Sequence, residues 1–208
     1  MSTIPDCIHG ESAVFCLDTL RMKHYTVYVE ILSSNRSIRR EDKVKSIVIY
    51  YSLDGNTHAA AERIAKELGC DIERIVLQKD LPKNAFARII VGGGQVTVNK
   101  RPPIKPLEHD PKDYDLIILG TPVWAGKSAS PIASFLGSCA VPERIRAAFT
   151  SSAGGDNERC IAALKKQLPD LAFSCALGDR RGKFAADNEK NLSAFVYKLR
   201  RYIYEKQP

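Results

Sequence analysis

Three short stretches of the 208-residue chain carry the residue types that could hold a reactive group in place. Ser52-Leu53-Asp54-Gly55-Asn56-Thr57 combines hydroxyls, an amide and a glycine directly ahead of an amphipathic segment. The first N–H groups of a helix lack partners within it, and together with the helix dipole they favour an anion. Such a loop can cradle a phosphate without a lysine; it can equally be a plain turn capped by Asn56 or Thr57. Thr121-Pro122-Val123-Trp124-Ala125-Gly126-Lys127 holds the only tryptophan of the chain. Its plane can stack on a flat heterocycle, or fold back onto the core. Ser151-Ser152-Ala153-Gly154-Gly155 is built of small residues that let backbone approach a ligand closely, or that simply turn the chain into the next helix. A phosphate cradle, an aromatic wall and a backbone-rich rim together fit a phosphorylated flat ring.

Other chemistries find less support. Gly120 to Ser128 imitates a nucleotide P-loop, but five residues, Pro122 among them, separate the glycine from Gly-Lys-Ser where that motif needs four. The six cysteines include no C-x-x-C pair and none lies beside a histidine at zinc-like spacing, so free buried thiols and no metal are expected. His9, His24, His58 and His109 are scattered singly and read as ordinary core or surface residues.

The elements that must position the three loops follow from periodicity. From residue 45 onward, short β-branched apolar runs alternate with segments of helical period. Strands are predicted at 46–51, 71–77, 114–120, 145–150 and 171–177. Helices are predicted at 58–68, 130–137, 156–168 and 188–204, with a short one around 84–91 before a long Pro- and Gly-rich loop. Such alternation implies a five-stranded parallel sheet between two helical layers, an α/β three-layer sandwich. Ligands of open parallel sheets bind at the carboxyl ends of the strands, where strand order reverses. All three loops follow strands, so all three belong at that end. Residues 1–44 read as an N-terminal extension, with possible hairpin strands at 13–20 and 24–32 and a polar stretch at 33–45.

On these residues the chain resembles the flavodoxin family of FMN-binding proteins. The resemblance rests on IVIYYSLDGNTHAAAERIAKEL, on YDLIILGTPVWAG followed by a Ser-Pro helix start, and on FTSSAGGDNE. It spans residues 45–208 and implies a flavodoxin-like FMN-binding domain. By the resemblance, Ser52, Asn56 and Thr57 hold the FMN phosphate, with backbone from Leu53, Asp54 and Gly55. Thr121, Pro122, Val123, Trp124 and Gly126 flank ribityl and ring, with Trp124 stacking on the isoalloxazine. Ser151, Ser152, Ala153, Gly154 and Gly155 border the pyrimidine side. Three features depart from the family pattern. Asp54 stands where many flavodoxins have threonine; a carboxylate beside a dianionic phosphate is unfavourable unless it faces solvent or caps the helix, so a lower FMN affinity is expected. The third loop lacks the second stacking tyrosine, leaving one ring face more open. Electron-shuttling flavodoxins are usually strongly acidic.

This chain is not acidic. Its formal charge is +7, and the excess lies in residues 45–208, with 25 basic and 18 acidic groups. An anionic acceptor or acidic redox protein is therefore the expected partner, and nucleic acid is not, because aromatic and basic residues are not interleaved as a nucleic-acid surface requires. The expected function is FMN-dependent electron transfer, or reduction of a small acceptor such as a quinone. The alternative is a flavodoxin-fold interaction module that has lost FMN. No apolar run is long enough to span a bilayer or to form a signal-peptide core, so a cytoplasmic location is expected.

Overall fold

The computed structural model describes residues 44–79, 100–181 and 183–206. The readings of residues 1–43, including the two extension strands, and of the short helix near 84–91 lie outside them.

The first strand, β1 (Ser46–Tyr50), is buried along its whole length, as a strand between two helical layers must be. It pairs in parallel with β2 (Asp71–Arg74) on one side and β3 (Leu116–Trp124) on the other. β3 then pairs with β5 (Ile145–Ser151), and β5 with β6 (Phe173–Leu177). The order β2-β1-β3-β5-β6 makes the five-stranded parallel sheet expected from the alternation. A sixth strand adds to the five: β4 (Lys127–Ser128) folds back antiparallel on the end of β3. The chain moves outward from β1 in opposite directions, to β2 and to β3, so the switch point lies at the carboxyl ends of β1 and β3.

Period-2 alternation sorts the strand residues between two cores. Ile47, Ile49, Ile117 and Leu119 join Ile132 and Phe135 of α2 (Ser130–Ser138) and Cys160 and Leu164 of α3 (Glu158–Gln167). Val48, Tyr50, Leu116 and Ile118 join Ile64 of α1 (Asn56–Leu68) and Phe195, Val196 and Leu199 of α4 (Ala185–Glu205). In β5 the alternation skips at Arg146: Ile117 faces Ile145, but Ile118 faces Ala147. This bulge re-aims the rest of β5, sending Ala147 and Phe149 to the α1/α4 side.

Gly69 closes α1 in the left-handed conformation, φ +64°, and its N–H returns to the Ala65 carbonyl. The helix starts two residues earlier than periodicity alone suggests, at Asn56, because the glycine before it turns the chain directly off the sheet. α1 and α4 are clamped by Arg63, which reaches Glu67 on its own helix and Glu189 on α4. No helix among the described residues is long and apolar enough to cross a membrane.

Candidate functional site

β1 ends beneath the first loop, where the Tyr51 N–H still bonds the Gly120 carbonyl (3.0 Å). That close pairing needs Gly120: a Cβ there would stand 2.3 Å from the Phe149 ring and 2.7 Å from Tyr50 Cβ. Ser52 is buried and its Oγ accepts the Gly55 N–H (3.2 Å), closing the turn. Arg74 on β2 donates to the Ser52 carbonyl (3.1 Å). Gly55 sits at φ +91°, and the α1 ladder opens with Ala59 N–H donating to its carbonyl (3.0 Å). The N–H groups of the first turn therefore point out of the helix end. Asp54 is exposed, and its Oδ1 reaches toward the Asn56 N–H at a long 3.5 Å. It faces solvent at the helix start. Behind this turn, the Tyr50 hydroxyl meets His58 Nδ1 at 2.6 Å, and burial raises the phenol pKa above its ordinary value.

Thr57 is fully buried, and its Oγ1 lies 2.8 Å from Ser151 Oγ. Two residues read on separate loops are thus a single hydrogen-bonded pair, 94 positions apart. The pair ties the start of α1 to the end of β5.

The second stretch differs from a plain loop. β3 continues through Pro122 and Val123 to Trp124, then reverses through Ala125 (φ +47°) and Gly126 (φ +76°) into β4. Positive φ at both central residues makes this a type I′ hairpin turn. The Thr121 hydroxyl is committed within it, donating to the Pro122 carbonyl (2.9 Å) and accepting the Ala129 N–H (3.0 Å). Trp124 is half-buried and meets Tyr51 edge-to-face, with ring centroids 5.7 Å apart. The indole therefore leans on the core at the rim of the β1–β3 switch point.

In the third loop the Ser152 N–H bonds the Leu177 carbonyl (3.0 Å), and Asn157 Nδ2 donates to the carbonyls of Gly155 (2.9 Å) and Leu177 (3.0 Å). Gly155 takes φ +79°, and Phe184 packs where its Cβ would be, 2.6 Å away. Ala153 and Gly154 are exposed, and a Cβ on Gly154 would meet nothing within 4 Å. Two buried polar atoms here have no protein partner, Ser152 Oγ and Asn157 Oδ1. Unpaired buried polar atoms are uncommon and mark places where a ligand or water completes the bonding.

A fourth loop joins them that the sequence reading passed over. Gly178-Asp179-Arg180-Arg181 follows β6 at the same end of the sheet. Asn188 pins it, accepting the Gly178 N–H (2.8 Å) and donating to the Gly178 carbonyl (3.1 Å). The Arg180 N–H reaches Asn56 Oδ1 (3.4 Å). The available signal was its position after a strand; its charge resembled ordinary surface.

Several other features lie away from the loops. His109 pairs with the buried Glu73 (2.6 Å). A cavity of about 580 Å³ is lined by Ile104, His109, Phe135 and Cys139, which belong to none of the four loops. Cys70 and Cys139 are half-buried, Cys160 and Cys175 buried, all four as free thiols. Burial pushes the Cys160 and Cys175 thiols up to about 12. No group of three potential metal ligands occurs among the described residues.

Known proteins share this fold. The NAD(P)H dehydrogenase (quinone) of Caulobacter vibrioides strain NA1000 / CB15N is 29% identical over 137 residues, 60% of this chain and 66% of that protein. The chain thus spans just under two thirds of the length of that relative. The crystal structure of a flavoprotein in complex with FMN from Lactobacillus acidophilus NCFM superposes with a TM-score of 0.53 at 24% identity, covering 71% of this chain and 97% of that one. A WrbA-like flavodoxin from Agrobacterium tumefaciens gives 0.52 at 17% identity, covering 78% and 99%. At these identities the superpositions establish the fold. The sequence model of the Flavodoxin family matches residues 45–191, from the start of β1 into α4 and across all four loops, and the chain belongs to that family.

Proposed function

We propose that the protein binds FMN at the carboxyl ends of β1, β3 and β5 and uses it to reduce a small acceptor such as a quinone. The observation that carries this reading is the convergence of the loops at the β1–β3 switch point, joined by the buried Thr57–Ser151 hydrogen bond. The residues present fit the cofactor. Ser52 and Gly55 hold the first loop in a turn with the α1 N–H groups outward, which suits a phosphate. Ser152 Oγ and Asn157 Oδ1 lack partners in a loop whose small residues leave backbone accessible, which suits the polar edge of a ring. Trp124 is the aromatic side chain at the rim between them.

FMN, when bound, supplies the electron-accepting and electron-donating chemistry. The chain's own work is binding and access. Asn56 and Thr57 contribute N–H groups at the helix start, and Asn56 also fixes the fourth loop through Arg180 N–H. Thr57 and Ser151 keep the first and third loops in register, and Thr121 holds the hairpin that carries Trp124. Ala153 and Gly154, exposed and small, leave the third loop without a covering side chain of its own. The open stretch at Ala153 and Gly154, beside Gly155 where Phe184 packs, favours acceptors that reach the cofactor directly. The Caulobacter relative, whose name specifies quinone reduction, supports the same choice. The basic surface favours acceptors, or docking proteins, that carry negative charge.

The test is turnover. Protein loaded with FMN is mixed with reduced nicotinamide nucleotide and a water-soluble quinone, and nucleotide oxidation is followed. Quinone-dependent oxidation well above that of free FMN is the expected result. A rate no higher than free FMN would remove the acceptor-reductase reading and leave a one-partner electron carrier.

A further inference from the structure

The geometry points to Arg180 as a phosphate-selecting residue of this site, a counter-charge that makes the protein prefer phosphorylated flavin to riboflavin. The inference rests on the FMN reading above and deepens it.

The guanidinium Nη2 of Arg180 lies 3.9 Å from the position a Cβ on Gly55 would occupy, so it stands against the apex of the first loop. Its backbone is fixed there from two sides. The Arg180 N–H donates to Asn56 Oδ1 (3.4 Å), and Asn188 holds the preceding Gly178 by both backbone groups and reaches the Asp179 carbonyl (3.4 Å). Asp179, the nearest carboxylate in sequence, turns its Oδ1 to the Arg181 N–H (2.9 Å) and makes no ion pair with Arg180. Among the described residues the Arg180 guanidinium has neither an ion pair nor a side-chain hydrogen bond. Arg101, Arg159 and Arg181 likewise have no such partner, so what sets Arg180 apart is its place at the apex of the first loop. Six other described arginines are engaged. Arg63, Arg146, Arg200 and Arg201 pair with carboxylates, and Arg144 and Arg74 donate to carbonyls.

An uncommitted cation on an anchored backbone, beside a helix start, is arranged to meet an anion. It also accounts for Asp54. A carboxylate on a phosphate loop repels a dianion, and a guanidinium at the same loop offsets that repulsion. Asp54 and Arg180 together leave the loop near neutral, while the N–H groups supply direction. Riboflavin, which has the same ring and ribityl chain but no phosphate, gains nothing from Arg180. The residue therefore acts on the difference between the two flavins rather than on flavin binding as such.

Apo-protein is titrated with FMN and, separately, with riboflavin, following quenching of flavin fluorescence, for the wild type, Arg180→Gln and Arg180→Lys. Arg180→Gln is expected to weaken FMN binding roughly tenfold, the scale of one charge-assisted hydrogen bond, with riboflavin unchanged. Arg180→Lys keeps the charge and is expected to fall between the two. The affinity of the wild type for FMN should drop with added salt more steeply than that of Arg180→Gln. Arg180 is exposed, so both variants should melt with the wild type. An unchanged FMN affinity in Arg180→Gln, or an equal loss for FMN and riboflavin, would overturn the assignment while leaving FMN binding intact. Wild-type protein that quenches neither flavin would overturn the FMN reading itself, and this assignment with it.

Discussion

Trp124 and Tyr51 meet edge-on, and that contact settles how the only tryptophan is used structurally. The indole is neither fully exposed nor folded into the core; it is propped at the rim. Removing it should cost binding rather than folding. Trp124→Ala is expected to weaken FMN binding roughly tenfold, from lost ring contact, and to raise the fluorescence of bound flavin. Equal affinity and quenching in the variant would take Trp124 out of the site. Thr57 should behave differently because its hydroxyl is buried against Ser151. Thr57→Val leaves the Ser151 hydroxyl without its partner and is expected to cost about 1–3 kcal/mol in urea unfolding. Cys160 and Cys175 add a pH signature. Their folded thiols titrate near 12, above the ordinary value of 9.0, so the folded state keeps protons that the unfolded chain releases. Stability should therefore decline as pH rises above about 9, with the loss continuing toward 12. Replacing both thiols by alanine should make that alkaline limb shallower in denaturant titrations, leaving the part due to the raised Tyr50 and Tyr114 phenols.

At the level of elements, the hairpin at Trp124 shows where periodicity stops being informative. Strand β3 begins in an apolar run, LIIL, which reads plainly as a buried strand. Its continuation through Gly-Thr-Pro to Trp124 does not, because Pro is disfavoured within a strand and Ala-Gly is not a strong type I′ signal. The carboxyl end of β2 shifts for a related reason. Ile75 and Leu77 are buried as a strand would require, yet the chain leaves the β1 ladder after Arg74, and Leu77 bridges Ile104 instead. Strand and helix identity were legible from apolar pattern, and so was the end of the sheet where the loops lie. Contacts between distant loops were not. Thr57–Ser151 and Asn56–Arg180 join residues 94 and 124 positions apart, and no local pattern encodes such pairs. Gly120 is the element-scale weak point. Gly120→Ala forces a Cβ onto Phe149 and Tyr50, and is expected to cost about 1–3 kcal/mol of stability while also disturbing the switch point. Thermal melting checks the first effect, and FMN titration the second.

For the whole molecule, the fold belongs to a family but the charge is its own. A basic domain at +7 draws anions and acidic surfaces, so turnover with a negatively charged quinone should fall as salt rises, while turnover with a neutral one should not. Steady-state rates at two ionic strengths separate these cases. The central claim, however, is that the four loops hold FMN. The most direct measurement is the visible spectrum of protein incubated with excess FMN and then desalted. Retained absorbance in the flavin bands, at close to one FMN per chain and bleached by reductant, is the predicted result. A colourless protein after desalting would contradict the claim and favour an interaction module that keeps the flavodoxin fold without its cofactor.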